Sequence, residues 1–441
     1  MSFVINFSKY ERSLETVHLS RDSGKVTEVK GLLIKGYLPG ASLGSLVKIF
    51  PQNADKFFLA EVVGFQESSV LMMGLGEMRG VALGSKIILA RTVATVRTSN
   101  DLLGRVIDGL GQPIDNGQEI ETSTEWPLYK EVRNPLQRRP IRQPLDLGIR
   151  AINGLITVGQ GQRVSIMAGS GVGKSVLLGM MAKNTAADVN VIALIGERGR
   201  EVREFIENDL GPEGLKRSVI VCVTSDQSPL IRMRGAYVAT SIAEYFSAQG
   251  KNVLLMMDSI TRFAMAQREI GLSVGEPPST RGYTPSVFAA LPKLLERAGS
   301  FEGEGSITGL YTTLVEADDN NDPIGDTVRS IVDGHIVLSR DLAHKAHFPA
   351  IDVLQSTSRV MKSVALPEQV KWAQKLREIL AVYKDAEDLI NIGAYKTGSN
   401  PKIDRAIKLI DQVNEFLRQG SDDKSNFQQT LRSLQQIVVS A

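Results

Sequence analysis

The chain has 441 residues, a formal net charge of +2 and a single cysteine, Cys222. Its length predicts two or three domains, and its composition is typical of a soluble globular protein. The near balance of acidic and basic residues gives no indication of a nucleic-acid-binding protein. One cysteine excludes a disulfide framework within the chain, which fits a reducing cytosol. No apolar run reaches the ~18 residues that a membrane span needs.

Residues 1–20 carry an apolar stripe at the spacing of one helix face. It consists of Phe3, Phe7, Tyr10, Leu14 and Val17. Two interpretations stay open, a helix folded onto its own domain or a short helix that docks a partner protein. Residues 1–20 are predicted to be an N-terminal amphipathic docking segment.

Residues 21–95 predict a β-barrel domain. Short β-rich runs, among them Gly31–Ile34, Ser45–Phe50 and Phe57–Val63, alternate with glycine turns at regular spacing. Residues 101–150 are rich in Pro, Gly and Arg, which indicates a connector that lies over the following domain.

Residues 96–360, connector included, predict an α/β domain. Apolar strand-like runs alternate with helical segments, which favours a parallel sheet with flanking helices. The predicted core strands are Val189–Ile195, Ser218–Val223, Asn252–Met257 and Ser306–Tyr311. Residues 361–441 are predicted to form a helical C-terminal domain, with helices over 368–384, 402–418 and 426–438. The expected fold class is therefore an α/β core with an N-terminal β-barrel and a C-terminal helical domain.

The stretch from Ala168 to Ser175 lies between a strand-like and a helix-like run, the arrangement of a phosphate-binding P-loop. Glycines let backbone N–H groups converge on a triphosphate, and the following helix adds its positive end. The strict pattern begins with glycine, where this chain has Ala168. This position closes the strand and is the one where glycine is least required. The alternative is a glycine-rich turn beside a surface lysine. The predicted nucleotide-binding residues are Gly169, Ser170, Gly171, Val172, Gly173, Lys174, Ser175 and Val176.

This loop predicts ATP and Mg²⁺ as ligands. Lys174 would supply a compact positive charge for the β- and γ-phosphates, and Ser175 a hydroxyl oxygen for Mg²⁺. Asp258 ends an apolar strand-like run and is predicted to be the Walker B acid beside the metal, although it could also cap the following helix. Mg²⁺ is therefore expected between Ser175 and Asp258.

Hydrolysis also needs a base and positive charge for the transition state. Glu197 follows a predicted strand, so it is expected in the ligand crevice as the base that polarises the attacking water. The alternative is a solvated acid in a turn. Arg359 is a candidate arginine finger, but from the residues alone it is one arginine among many.

Several of these segments together resemble the catalytic subunits of rotary ATPases and, more closely, the type III secretion ATPases. The stretches that carry this resemblance are Gly104–Pro113, Ala168–Ser175, Gly196–Val202, Asp258–Gly271 and Pro349–Ser358. The stretch Gly275–Pro285 narrows it to secretion ATPases, and Phe263–Leu272 is most similar to the flagellar export ATPase.

The resemblance implies a RecA-like ATPase domain and a homo-hexamer with nucleotide at the subunit interfaces. Lys174, Ser175, Glu197 and Asp258 match the family's phosphate ligand, metal ligand, catalytic glutamate and Walker B acid. Four further residues match family positions. They are Arg198 and Arg262 beside the site, Arg359 as the finger given in trans to the neighbouring subunit, and Phe348 as an aromatic against adenine.

The resemblance also implies partners. The Gly275–Pro285 loop is similar to the sleeve around a coiled-coil central stalk, and residues 1–20 are similar to a segment that docks a stator protein. Function is expected in the cytoplasm, at the cytoplasmic face of the inner membrane, with an export gate, export substrates and chaperones. Peripheral membrane association is compatible with this placement, and no nucleic-acid partner is expected.

The predicted function is Mg²⁺-dependent ATP hydrolysis that promotes protein export and chaperone release, in a flagellar apparatus. A virulence-type secretion ATPase is the first alternative. A non-catalytic nucleotide-binding subunit is a further alternative. Such a subunit would lack the catalytic acid, so the presence of Glu197 argues against it. A hexameric RNA translocase would need a basic barrel with stacking aromatics, and residues 25–95 are neither markedly basic nor rich in aromatic residues.

Overall fold

The computed structural model describes residues 22–51, 56–121, 124–131, 133–315 and 322–439. The chain divides into two compact units, Met1–Ala94 and Thr95–Ala441. The apolar stripe within residues 1–20 lies outside the described residues. Every helix in the described ranges is too short or too polar to traverse a lipid bilayer.

In the described part of the first unit, six strands close into an antiparallel barrel in the order β1-β2-β5-β4-β3-β6. Their alternating side chains fill the interior; in β3, for example, Val47 and Ile49 are fully buried. Closure leaves no free strand edge, and the predicted barrel is confirmed. The strands are β1 Ser23–Lys30, β2 Leu33–Tyr37, β3 Leu46–Phe50, β4 Phe58–Gln66, β5 Ser69–Gly74 and β6 Lys86–Arg91.

The second unit is built on a mostly parallel sheet in the order β17-β16-β10-β15-β13-β11-β12-β8, with β14 paired to β15 and a separate β7–β9 ribbon. Its central strands are continuous apolar runs because helices cover both faces. The strands are β7 Thr95–Thr98, β8 Val106–Ile107, β9 Thr124–Pro127, β10 Arg163–Ala168, β11 Val189–Glu197, β12 Ser218–Thr224, β13 Asn252–Asp258, β14 Gly299–Ser300, β15 Ser306–Leu314, β16 Gly334–Leu338 and β17 Ile351–Ser358.

Several helices begin at residues that cap them or favour a first turn. Ser228 and Ser259 each accept a backbone N–H three residues later, and Pro229 and Pro401 occupy first-turn positions. The helices are α1 Arg150–Leu155, α2 Lys174–Asn184, α3 Gly199–Glu204, α4 Gly211–Lys216, α5 Pro229–Ala248, α6 Ile260–Ser273, α7 Pro285–Leu295, α8 Pro323–Ile331, α9 Arg340–His344, α10 Met361–Val364, α11 Pro367–Asn391, α12 Pro401–Leu417 and α13 Phe427–Val439.

The last three helices pack on the same apolar core as the parallel sheet. Leu376 of α11, Val413 of α12 and Leu434 of α13 belong to one buried cluster with Ile152 of α1. The contact is close, because a Cβ added to Gly154 of α1 would lie 3.1 Å from Phe416 Cζ. The helical C-terminal region predicted from periodicity is confirmed, and α11 continues beyond residue 384 to Asn391.

The connector contributes to the sheet. Within residues 101–150, β8 forms the edge strand, with Val106 and Ile107 opposite Ile220 and Val221 of β12. The prediction of a Pro-, Gly- and Arg-rich connector did not include this strand, because two residues are too few to give a periodic pattern.

Candidate active site

The P-loop connects β10 to α2 at the carboxyl edge of the sheet. Gly171 and Gly173 have φ of +78° and +85°, the left-handed region in which glycine carries no Cβ penalty. Ala168 is the last residue of β10 and needs no such freedom. The other loop residues are Gly169 and Val172, which are buried, and Ser170, Ser175 and Val176, which are exposed. The loop geometry therefore requires glycine at two of the predicted positions.

Lys174 lies between two carboxylates. Its Nζ is 2.6 Å from Asp258 Oδ1 and 3.7 Å from Glu197 Oε1. The three side chains are 13%, 5% and 14% exposed, respectively. They meet because β10, β11 and β13 are parallel, so their carboxyl ends share one edge of the sheet. The structure thus brings together three residues separated by up to 84 positions in the chain.

Burial and charge give these groups unusual proton affinities. Burial, and next the charge of Asp258, raise the pKa of Glu197 to about 7, against the opposing effect of Lys174. Burial would lower the pKa of Lys174, but the charges of Asp258 and Glu197 outweigh it, and the pKa is raised. Lys174 is therefore held as a cation, while Glu197 can exchange a proton near neutral pH.

The two predicted neighbouring arginines differ in position. The Arg262 side chain runs over Gly196, because a Cβ on that glycine would lie 3.0 Å from Arg262 Cβ. Its Nε is buried with no hydrogen-bond partner among the described residues. Arg198 is 82% exposed and pairs with Glu201 at 3.4 Å. Arg262 thus packs against Gly196, which precedes Glu197 in the chain, whereas Arg198 is directed to solvent within a single chain.

Phe348 and Arg359 lie at opposite ends of β17. Phe348 is 45% exposed, and a Cβ on Gly173 would lie 3.4 Å from its Cδ1, so the ring borders the P-loop. Because β17 is antiparallel to β16, it carries the chain from the carboxyl edge of the sheet to the opposite edge, where the parallel strands begin. There Ser358 is opposite Gly334. There the Arg359 guanidinium donates to Arg329 O at 3.3 Å.

The separation has a functional consequence. A strand of eight residues spans roughly 25 Å, so Arg359 is far from the P-loop of its own chain. The structure brings together Lys174, Glu197, Asp258 and Phe348 at one edge, and it does not bring Arg359 to them.

Comparisons with known proteins identify the family. Residues 148–358 match the nucleotide-binding domain of the ATP synthase alpha/beta family, and residues 365–436 match the C-terminal domain of the type III secretion ATPase EscN. The flagellum-specific ATP synthase of Bacillus subtilis is 52% identical, over 93% of this chain and 94% of the relative. The type 3 secretion system ATPase of Xanthomonas euvesicatoria is 49% identical, over 97% of both chains.

The chain belongs to the family of flagellum-specific and type III secretion ATPases. Two solved structures agree with this. The assembled ATPase EscN of enteropathogenic E. coli has a TM-score of 0.89 and 48% identity over 94% of this chain and 100% of that one. EscN in complex with its central stalk EscO has a TM-score of 0.88 and 47% identity over the same shares. The predicted resemblance, fold class and ATPase function are confirmed.

The oxygen donors of this ATPase fit Mg²⁺. Asp258 offers a carboxylate and Ser175 a hydroxyl, both at the carboxyl edge of the sheet. In the described ranges, no group of three or more His, Cys, Asp or Glu side chains is arranged to hold a metal by itself. Mg²⁺ characteristically takes one or two protein oxygens and completes its shell with phosphate oxygens and water. The donor set therefore suits a metal that arrives with a nucleotide.

Two residues of the ATPase site were missed by sequence reasoning. Ser259 caps α6 by accepting the Arg262 N–H at 3.3 Å, and a serine directly before a helical run is a signal that could have found it. Thr312 donates from Oγ1 to Asp258 Oδ1 at 2.7 Å. No local pattern indicates Thr312, because its contact depends on β15 lying next to β13 in the sheet.

Proposed function

We propose that this chain is the Mg²⁺-dependent ATPase of a flagellar protein export apparatus, active as a homo-hexamer that hydrolyses ATP at its subunit interfaces. One observation supports this more than any other. Lys174, Glu197 and Asp258 converge at the P-loop edge of the sheet, while Arg359 lies at the opposite edge. This placement supports a phosphoryl-transfer site that is shared between neighbouring subunits of a ring.

Each side chain has a role in this proposal. The P-loop N–H groups and Lys174 bind the phosphates, and Ser175 and Asp258 hold Mg²⁺, which neutralises charge on the phosphates when bound. Glu197 in its ionised form accepts a hydrogen bond from the attacking water and orients it.

Three further residues surround the nucleotide. Phe348 offers an exposed ring beside the P-loop for stacking on adenine. Arg262, whose side chain packs against Gly196, and Arg198 supply positive charge near the reacting phosphate. Arg359 of the neighbouring subunit stabilises the transition state.

A central stalk is a proposed partner. EscN has been solved with its central stalk EscO, and this chain shares the fold of that protein. The Gly275–Pro285 loop precedes α7 and presents Arg281, whose side chain is 48% exposed and pairs with Asp322 at 3.8 Å. We assign this loop as the contact with a coiled-coil stalk.

The remaining partners follow from the family. Residues 1–20 are assigned as the docking segment for a stator protein, by their apolar stripe. The hexamer would act at the cytoplasmic face of the inner membrane, beside the export gate, and release export substrates from chaperones. Peripheral contact with the membrane is compatible with this location.

A virulence-type secretion apparatus is the second candidate, favoured by the likeness to EscN and to the Xanthomonas euvesicatoria ATPase. Gene deletion distinguishes the two. We expect the deletion strain to lose swimming motility and secretion of flagellar proteins, both restored by the wild-type gene and not by Lys174→Ala. Normal motility with a loss of secreted effector proteins would instead establish the virulence-type function.

A further inference from the structure

Thr312 is a buried hydroxyl in contact with the Walker B acid. It lies on β15 with no exposed surface, and its Oγ1 is 2.7 Å from Asp258 Oδ1 and 3.2 Å from Met257 O. Strands β13 and β15 are parallel neighbours with Met257 opposite Tyr311. The next pair in this register is Asp258 and Thr312, so both side chains project from the same face of the sheet.

The hydroxyl carries a single proton to donate. A carboxylate is a stronger acceptor than a backbone carbonyl, so the proton is directed to Asp258 rather than to Met257 O. Asp258 Oδ1 consequently accepts from two groups, the Thr312 hydroxyl and Lys174 Nζ, the latter at 2.6 Å. Within the part of the chain that the structure describes, both donors use the same carboxylate oxygen.

The two donors have different freedom. Lys174 has a long flexible side chain, and its ammonium is needed by the β- and γ-phosphates of a bound triphosphate. Thr312 has a short β-branched side chain on a strand in the middle of the sheet, which restricts it to few rotamers. When the lysine turns to phosphate, the threonine hydroxyl remains on the carboxylate.

We propose that Thr312 is a positioning residue for Mg²⁺: it fixes Asp258 through Oδ1 and so leaves the other carboxylate oxygen for the metal and its water ligands. Partners that orient a metal-binding carboxylate in this way typically change metal affinity or activity by about 10–100-fold when removed. This inference rests on the proposed function, in which Asp258 serves the metal.

The test measures binding rather than turnover. The affinity of the full-length protein for a fluorescent ATP analogue is determined in EDTA and across a MgCl₂ titration. Thr312→Val is nearly isosteric and lacks the hydroxyl, whereas Thr312→Ser retains it. Thr313→Val is the matched control, because that hydroxyl is equally buried but pairs with Ser165 Oγ at 3.0 Å, away from the site.

We expect the Mg²⁺ concentration that gives half of the metal-dependent gain in nucleotide affinity to be about 10-fold higher in Thr312→Val than in the wild type. Nucleotide affinity in EDTA should stay within about 2-fold of wild type. Thr312→Ser and Thr313→Val should retain the wild-type Mg²⁺ requirement. If Thr312→Val does not fold, Thr312→Ser is compared with Thr312→Ala, since both lose the methyl group and only the serine keeps the hydroxyl. The alanine variant should then show the increased requirement.

Asp258→Asn separates this inference from the proposed function. A wild-type Mg²⁺ requirement in Thr312→Val, or in Thr312→Ala, together with a clear defect in Asp258→Asn would overturn the role of Thr312 and leave the metal site intact. An equal defect in Thr313→Val would also overturn it, by showing a general packing effect. An unchanged requirement in Asp258→Asn would overturn the metal role of Asp258 itself, and the inference with it.

Discussion

At the scale of single residues, the two carboxylates that flank Lys174 have different surroundings. Asp258 accepts hydrogen bonds from Lys174 and Thr312, which hold it in place at the end of β13. Glu197 is farther from the cation, at 3.7 Å, and its neighbour Asp258 repels a second negative charge. Carboxyl groups placed in such unequal environments commonly divide metal-binding and proton-accepting roles.

The rate of hydrolysis should therefore depend on Glu197 protonation. Its pKa is raised to about 7, so it gains a proton at a pH where an ordinary glutamate is fully ionised. A base must be ionised, so we expect kcat/KM for ATP to fall about tenfold per unit as the pH drops below 7. Steady-state kinetics from pH 5.5 to 8.5 measures this.

Two variants make that profile interpretable. Glu197→Gln should bind ATP but turn it over about 10²–10⁴-fold more slowly, with no inflection near pH 7. Glu204→Gln changes an exposed glutamate of α3 whose carboxylate pairs with Arg200 at 2.8 Å, away from Lys174, so its profile should equal that of the wild type. Wild-type turnover in Glu197→Gln would refute its role as the base.

At the scale of structural elements, one carboxylate holds together the part of the connector that surrounds β8. Asp115 accepts from Arg105 Nε and Nη2 at 2.8 and 2.7 Å, and from the backbone N–H groups of Val106 and Gly117 at 2.9 and 3.1 Å. The hydrogen bond from the Arg105 guanidinium has the largest effect on the Asp115 pKa and holds it well below its usual range. These bonds hold the residues around β8, the edge strand that pairs with β12.

Asp115→Asn should consequently lower the free energy of unfolding by about 2–3 kcal/mol at pH 7, since Arg105 loses its charged partner. The folded pKa is depressed, so this stabilisation is complete above the unfolded pKa of about 3.9 and is lost as the pH falls below it. Urea denaturation at pH 7 and at pH 3.5 measures both effects. In the control variant Asp101→Asn, which changes an exposed residue, the free energy of unfolding should stay within about 0.5 kcal/mol of wild type. An equal loss of stability in both variants would contradict the stabilising role of Asp115.

The elements also show what the sequence could predict. Glycine spacing, strand-ending carboxylates and helical periodicity are local signals. They were sufficient to predict the strand–loop–helix of the P-loop, the positions of Glu197 and Asp258 at strand ends, and the C-terminal helices. The contact between Thr312 and Asp258 needs the order of strands in the sheet, which one sequence does not contain. The π-helical turn Phe205–Leu210 was also missed, because its residues give an ordinary helical pattern.

At the scale of the whole molecule, β17 separates the two halves of the proposed site. It carries the chain from Phe348, beside the P-loop, to Arg359 at the other edge of the sheet. With Arg359 where the parallel strands begin and the P-loop where they end, the two can form one site only between neighbouring subunits. This requires a heterologous interface that closes into a ring.

Activity should therefore depend on assembly. We expect the specific activity per subunit to rise with protein concentration and to level off once rings form, because a lone subunit lacks the charge that stabilises the transition state. Hydrolysis rates across a dilution series, with particle mass measured on the same samples, follow both quantities. A constant specific activity through the range in which the mass falls to that of the monomer would contradict this dependence.

Mixing two inactive variants tests the shared site most directly. Arg359→Ala retains the P-loop, and Lys174→Ala retains the arginine, so after co-assembly about a quarter of the interfaces should be complete. We predict hydrolysis well above that of either variant alone, and no recovery when Arg359→Ala is mixed with the double variant Lys174→Ala/Arg359→Ala. A mixture of the two single variants that forms mixed rings and stays inactive would contradict a catalytic site shared between neighbouring subunits.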